Sequence, residues 1–281
     1  MPVISPNAFA PPAASPLSRE PQGLLPTELR EQVRRLERAH SAARAGQTAV
    51  PLGIAEIDAL LPEGGLLTGA LHEIEAGPAP SGRVAAHDGA ALGFTAFLLG
   101  RLLDRSAVGT ILWCRQPSGA FDAPPYAPAL ATWFDPARLL MVTARREEDL
   151  FWAMEEGLRG GIAAVVGETR AAQPTAGRRL SLAAEKSGVP AFLLREQPGP
   201  TQSVCATRWR VASAASHSTP GLADLGPSRW QVELRRNRFG TPSVDEIPSW
   251  LLEWNDETHR LAVVPQTFHG SADAPRSIRA A

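Results

Sequence analysis

A chain of 281 residues has room for one full α/β domain with added segments, or for two small domains. Apolar residues make up 44% of it, enough for a sizeable core, and the formal net charge of −1 excludes a global electrostatic pull towards nucleic acid, leaving only a local basic patch open. No run approaches the roughly 18 apolar residues of a membrane span, and no charged n-region precedes an apolar core, so the expectation is a cytoplasmic protein without an export signal.

Residues 1–26 are rich in Pro, Ala and Ser and lack periodicity, as a disordered arm does. Residues 27–44 read as a helix capped by Thr27, with Glu28 and Glu31 at the positive end of its dipole. Leu29, Val33 and Leu36 share one face, and Arg30, Arg34, Arg35 and Arg38 the other. That pattern suits either a solvated charged face or a helix that docks on a partner. Pro51–Leu61 reads as a strand or turn followed by a short helix, broken by Pro62, Gly64 and Gly65, and Ala70–Glu75 as a short strand.

Next comes Gly77-Pro-Ala-Pro-Ser-Gly82-Arg83-Val84. A phosphate loop needs G-x-x-x-x-G-K-[ST]: backbone N–H groups wrap the phosphates, the lysine reaches the β and γ phosphates, and the hydroxyl binds magnesium. Gly77 and Gly82 have that spacing, but Arg83 stands in the lysine position and Val84 in the hydroxyl position. A planar guanidinium is a poor substitute for a point charge in a tight loop, and valine has no oxygen for a metal. The apolar run Ala90, Ala91, Phe94, Phe97, Leu98, Leu102 starts a helix later than an intact loop would, with Asp88 as the expected N-cap. An acidic residue there would repel phosphate. A degenerate loop without catalysis is the expectation.

Val108–Cys114 is an apolar strand of the buried parallel type. An ATPase of this layout wants a carboxylate just past it; Arg115 and Gln116 stand there. A short helix over Tyr126–Trp133 and a strand over Ala137–Val142 follow. Arg146–Arg159 is a helix with Leu150, Met154 and Leu158 on one stripe and Glu147, Glu148, Glu155 and Glu156 off it. The strand Ile162–Glu168 should end in Asp if it carried the second magnesium motif. Gly167 takes that place, and Glu168 is one residue out of register, facing elsewhere on a strand of period two. No metal site is expected.

A helix at Ala176–Ser187, with Arg178 and Arg179 on a solvated face, precedes strands at Pro190–Arg195 and Val204–Val211. Cys114 and Cys205 each lie in an apolar strand-like run and read as buried free thiols. Arg229–Arg238 alternates strongly, with Trp230, Val232 and Leu234 on one side; Trp250–Trp254 is its hairpin partner, and Leu261–Val264 a third strand. Arg235, Arg236 and Arg238 cluster at the end of the first of these, where they would contact DNA phosphates or simply solvate an edge.

The order of segments from about 50 to 168 resembles the RecA-type recombinase core. Four stretches resemble the ImuA family more closely: Leu29-Arg-Glu-Gln-Val-Arg-Arg-Leu-Glu, Gly69-Ala-Leu-His-Glu-Ile, Ala206-Thr-Arg-Trp-Arg-Val, and Arg229-Trp-Gln-Val-Glu-Leu with Trp250-Leu-Leu-Glu-Trp. The resemblance implies a mainly parallel α/β sheet flanked by helices and followed by small antiparallel strands. It implies an accessory role in SOS mutagenesis, beside an ImuB-type Y-family polymerase-like protein and an error-prone DNA polymerase III α-type subunit, with RecA as a further contact. A relation to the SulA cell-division inhibitor is a fold-level association only. RecA-type cores polymerise by docking an N-terminal element on the next core, so the 27–44 helix is expected to bind RecA or its own kind.

The expected organisation is an arm over 1–26, a docking helix over 27–45, a RecA-like domain over 50–264 with its C-terminal β extension at 229–264, and a disordered tail over 265–281. The leading expectation is a non-catalytic interaction protein with no resident cofactor, in contact with DNA only indirectly and with no membrane. The rivals are a divergent ATPase using ATP through Arg83 and Glu168, and a DNA-binding module built on Arg229–Arg238.

Overall fold

The computed structural model describes residues 48–78, 89–104, 109–117, 123–170, 174–196, 203–216, 226–239, 247–255, 257–258 and 260–265. The chain divides into Met1–Ala45 and Gly46–Ala281, and every described residue belongs to the second unit. The arm, the 27–45 helix and the tail beyond Pro265 lie outside the described residues.

A two-stranded ladder of β1 (Ala49–Val50) and β2 (Leu66–Leu67) leads in, with the one-turn helix α1 (Ala55–Asp58) between them. The Asp58 carboxylate accepts the N–H groups of Leu52 at 2.7 Å and Gly53 at 2.9 Å, which fixes this turn. The main sheet has nine strands: β3 (Leu71–Ala76), β4 (Ile111–Arg115), β5 (Leu139–Thr143), β6 (Ala164–Thr169), β7 (Ala191–Arg195), β8 (Thr207–Ala214), β9 (Arg229–Asn237), β10 (Ser249–Asn255) and β11 (Arg260–Val264). Their order is β11-β10-β9-β8-β3-β7-β6-β4-β5. The six strands from β8 to β5 are parallel; β9, β10 and β11 are each antiparallel to their neighbours. The small antiparallel C-terminal strands are present as expected. They continue the central sheet, with β9 docked on β8 through a register shift at Arg208/Trp209.

Among the described residues there are five α-helices: α1, then α2 (Ala90–Leu103), α3 (Ala127–Leu130), α4 (Glu147–Arg159) and α5 (Pro174–Ser187). Parallel strands buried on both faces read as near-continuous apolar runs, as β4, β6 and β7 do. Alternate residues serve two cores. Ile111, Trp113, Val166, Phe192, Leu194 and Trp209 pack with α2; Leu112, Cys114, Val165 and Leu193 pack with α4 and α5. Both cysteines are free and buried, and burial pushes each thiol up to about 12. Among the described residues no helix is long and apolar enough to cross a membrane.

The boundaries shift by a few residues for local reasons. β4 begins at Ile111, just after Gly109 with its left-handed φ of +141°, and Val108 lies outside the described residues. Gly89 stands at the N-cap of α2 without a side-chain hydrogen bond, and Asp88 lies outside the described residues. Eleven of the fourteen residues of α2 are buried, so α2 is a central helix covered on nearly all sides, not a surface one. On its far side Trp133 meets Phe97 edge-on at 5.6 Å and lies 4.3 Å from Trp254 and 6.1 Å from Trp230, tying the antiparallel strands to the helix.

Candidate functional site at the carboxyl edge of the parallel strands

In a doubly covered parallel sheet, ligands bind beyond the carboxyl ends of the strands. That edge carries Gly77 after β3, Arg115 and Gln116 at the end of β4, and Gly167, Glu168 and Thr169 at the end of β6. Gly82, Arg83 and Val84 lie outside the described residues, as do the six helix positions Leu29, Arg30, Val33, Arg34, Leu36 and Arg38.

Gly77, the residue after the end of β3, is held against β8. Its N–H donates to the Val211 carbonyl at 2.7 Å, and a Cβ there would stand 2.9 Å from Ala212 Cβ. Close approach to β8 accounts for this glycine without any phosphate. Gly167 has a parallel explanation. A Cβ there would fall 2.8 Å from Met154 Cε, nearer still to its Sδ, and 3.5 Å from Leu150 Cδ2. Met154 and Leu150 are fully buried, so α4 fills the space that a strand-ending carboxylate would need.

Glu168 points to the other face, beside Trp113 and Val166, and is only 1% exposed. The Trp113 indole N–H donates to its Oε1 at 2.6 Å, and Arg115 Nε lies 3.6 Å from its Oε2. Burial raises the Glu168 pKa; the Trp113 hydrogen bond and the Arg115 charge oppose that shift without cancelling it. This carboxylate is clamped by two neighbours on β4. Arg115, in the place of an activating carboxylate, turns inward onto Glu168, while Gln116 Nε2 donates to the Arg145 carbonyl at 3.2 Å. Thr169 Oγ1 donates to Glu147 Oε1 at 3.0 Å and joins the strand end to the start of α4. Among the described residues no three or more His, Cys, Asp or Glu side chains gather as metal ligands.

Arg235, Arg236 and Arg238 do not form one patch. Arg235 pairs with Glu233 at 3.3 Å. Arg236 Nε donates to the Cys205 carbonyl at 3.2 Å and Arg238 to the Val204 carbonyl at 3.4 Å, with its guanidinium 4.8 Å above the Phe239 ring. The β10 pairing of β9 ends at Glu233, before these arginines; Arg235 and Arg238 are exposed, and Arg236 and Arg238 donate to carbonyls of the segment leading into β8.

Two buried polar groupings escape sequence reading. Glu73 accepts from Arg208 Nε at 2.8 Å and from Ser203 Oγ at 2.7 Å, and Arg195 lies 3.5 Å from the same carboxylate. On the opposite face His72 Nε2 donates to the Leu67 carbonyl at 2.9 Å, which leaves Nδ1 to accept from Thr207 Oγ1 at 2.8 Å; Trp209 Nε1 donates to that same hydroxyl. Burial lowers the His72 pKa to about 4, so the ring is neutral. The available signal was Leu71-His-Glu-Ile-Glu-Ala itself, three polar residues in a strand covered on both faces. Glu155, expected off the buried stripe of α4, is also buried and meets Arg179 of α5 at 2.8 Å.

No family model matches the chain. Two curated relatives do, both described as Protein ImuA, from Caulobacter vibrioides strains NA1000 / CB15N and ATCC 19089 / CIP 103742 / CB 15. Each is 33% identical over 238 residues, covering 78% of this chain and 88% of the relative. Identity of that extent, together with a mainly parallel RecA-like sheet, places the chain in the ImuA family.

Proposed function

We infer that the chain is a non-catalytic accessory protein of a damage-induced, error-prone translesion synthesis complex. It acts through contacts presented by a degenerate RecA-like core. The observation that carries this reading is the end of β6: Met154 fills the space over Gly167, and Trp113 and Arg115 engage Glu168. Both positions serve packing and charge neutralisation, which are structural tasks. Membership of the ImuA family supplies the setting.

The partners are an ImuB-type Y-family polymerase-like protein and an error-prone DNA polymerase III α-type subunit, with RecA or a second copy as contacts of the 27–44 helix. DNA is reached through these partners, and the cytoplasm is the compartment. The test is co-purification of the full chain with each partner. Charge reversal at Arg30, Arg34, Arg35 and Arg38 should abolish at least one association; retention of all of them would refute the helix assignment. The rival ATPase would use Arg83 and Glu168 and show magnesium-dependent turnover that Arg83→Ala removes.

A further inference from the structure

The two helices that cover one face of the parallel strands turn a patterned surface outwards. α4 and α5 lie side by side over the core that holds Leu150, Met154 and Leu180, and Arg179 of α5 meets Glu155 of α4 at 2.8 Å across their seam. Their charges are sorted by helix. α4 carries five acidic residues against one basic, Arg159, and α5 carries three basic residues against one acidic, Glu185. Trp152 on α4 is 63% exposed and Leu182 on α5 is 61% exposed, although each helix buries its other large apolar side chains.

Residues four apart lie one above the other along a helix, so positions i, i+4 and i+8 make one ridge. On α4 that ridge reads Glu148, Trp152, Glu156, and on α5 it reads Arg178, Leu182, Lys186; all six are exposed. Each ridge sets an apolar residue between two like charges, and the two ridges have opposite sign. The contacts with the sheet use neither: α4 packs through Leu150, Met154 and Leu158, and α5 through Leu180 and Ala184. Glu156 pairs with Arg159 on its own helix, but Glu148, Arg178 and Lys186 make no hydrogen bond or ion pair among the described residues. Tryptophan is highly buried on average, and at the centre of a contact it is among the residues that contribute most to binding.

We propose that this face is a self-association surface: two copies of the chain meet across a two-fold axis, with the α4 ridge of each on the α5 ridge of the other and Trp152 against the partner's Leu182. An isologous contact pairs residue i with j and j with i, so a surface that carries both halves of a match is complementary to itself. A different partner would have to supply an acidic and a basic strip side by side; a second copy brings both by symmetry. Nucleic acid would meet the acids of α4. The helices are about 20 Å long at 1.5 Å per residue and about 10 Å across, so the shared face is roughly 20 Å square, under the roughly 800 Å² per partner of a standard interface. The association is therefore weak and concentration-dependent, in the micromolar range. This contact goes beyond the proposed function and uses no residue of the 27–44 helix.

The test is sedimentation equilibrium of the full chain over a micromolar to submillimolar concentration series. The wild type should show a reversible monomer–dimer equilibrium. Trp152→Ala should weaken it by about tenfold or more, the scale of a central aromatic contact, while leaving the melting temperature unchanged. Glu148→Lys with Glu156→Lys, and in a second protein Arg178→Glu with Lys186→Glu, each set like charges at both contacts of their own dimer and should abolish association. An equimolar mixture of these two proteins re-pairs opposite charges at both contacts and should regain it. A wild type that stays monomeric throughout, association indifferent to Trp152→Ala, or a mixture that fails to regain the dimer would overturn the proposal. Charge reversal at Arg30, Arg34, Arg35 and Arg38 should leave this equilibrium unchanged. Self-association that is lost on that reversal and kept in Trp152→Ala belongs to the 27–44 helix and overturns the proposal as well.

Discussion

Gly167→Ala tests whether the strand-end glycine is a packing solution. The added methyl would lie 2.8 Å from Met154 Cε and nearer to Sδ, against an ordinary carbon contact of about 3.5–4.0 Å. Met154 must withdraw by roughly 1 Å among neighbours that include fully buried Leu150 and Leu158, in a protein interior packed close to crystal density. Overpacking of this kind costs about 1–3 kcal/mol. The gain of roughly 0.5–1 kcal/mol that alanine brings over glycine inside a strand offsets only part of that. For a unit of this size 1 kcal/mol moves the melting temperature by about 2–4 °C. Urea denaturation followed by tryptophan emission reads the effect, with Trp113 on the neighbouring strand as a reporter. Met154→Ala alone should cost about 2–5 kcal/mol through its cavity. The double variant should cost less than the sum by about 1–3 kcal/mol, because the new methyl occupies the vacated space. A Gly167→Ala protein as stable as the wild type, or a strictly additive double variant, would refute the reasoning. Gly167→Asp should be less stable still and should gain no nucleotide turnover.

Breaking the Glu168–Arg115 pair from one side, by Glu168→Gln or Arg115→Met, should destabilise the fold, by about 3 kcal/mol or more for Arg115→Met, which leaves the buried carboxylate without its neighbouring cation. The double replacement should cost less than either alone, read by the same denaturation curves. His72 sets a pH dependence. With a folded pKa near 4 against 6.5 when unfolded, the unfolded chain takes up the extra proton, so its contribution is complete above about pH 6.5 and is lost as pH falls towards 4. The loss reaches about 3 kcal/mol at roughly 1.4 kcal/mol per pH unit. Its signature is a stability-versus-pH slope that flattens in His72→Gln, and equal slopes would contradict it. Trp133→Ala should cost about 3–5 kcal/mol and loosen β10 and β11 against α2, seen as faster amide exchange in those strands.

Local pattern carried much of this fold. The apolar runs of β4, β6 and β7, the stripe Leu150, Met154, Leu158 and the alternation of β9 are properties of neighbouring residues, and each leaves a period in the sequence. The tight packing of Gly167 on Met154 and the pairings Trp113 with Glu168 and Arg208 with Glu73 join residues far apart in the chain, the last two separated by 55 and 135 positions. No local period marks them. The same holds for the C-terminal strands. Alternation announced a hairpin, but only the docking of β9 on β8 makes it part of the central sheet. At the candidate site the residue substitutions were legible one by one. What closes the site, a methionine from α4 and an arginine from β4, depended on helix packing and strand register that the sequence does not spell out.

The central claim is that this core acts by contact and not by nucleotide chemistry. The most direct measurement is calorimetric titration of the purified full chain with ATP and ADP, with and without magnesium, followed by a turnover assay. The account predicts no magnesium-dependent turnover and no change on Arg83→Ala or Glu168→Gln. Robust hydrolysis that either substitution abolishes would contradict it.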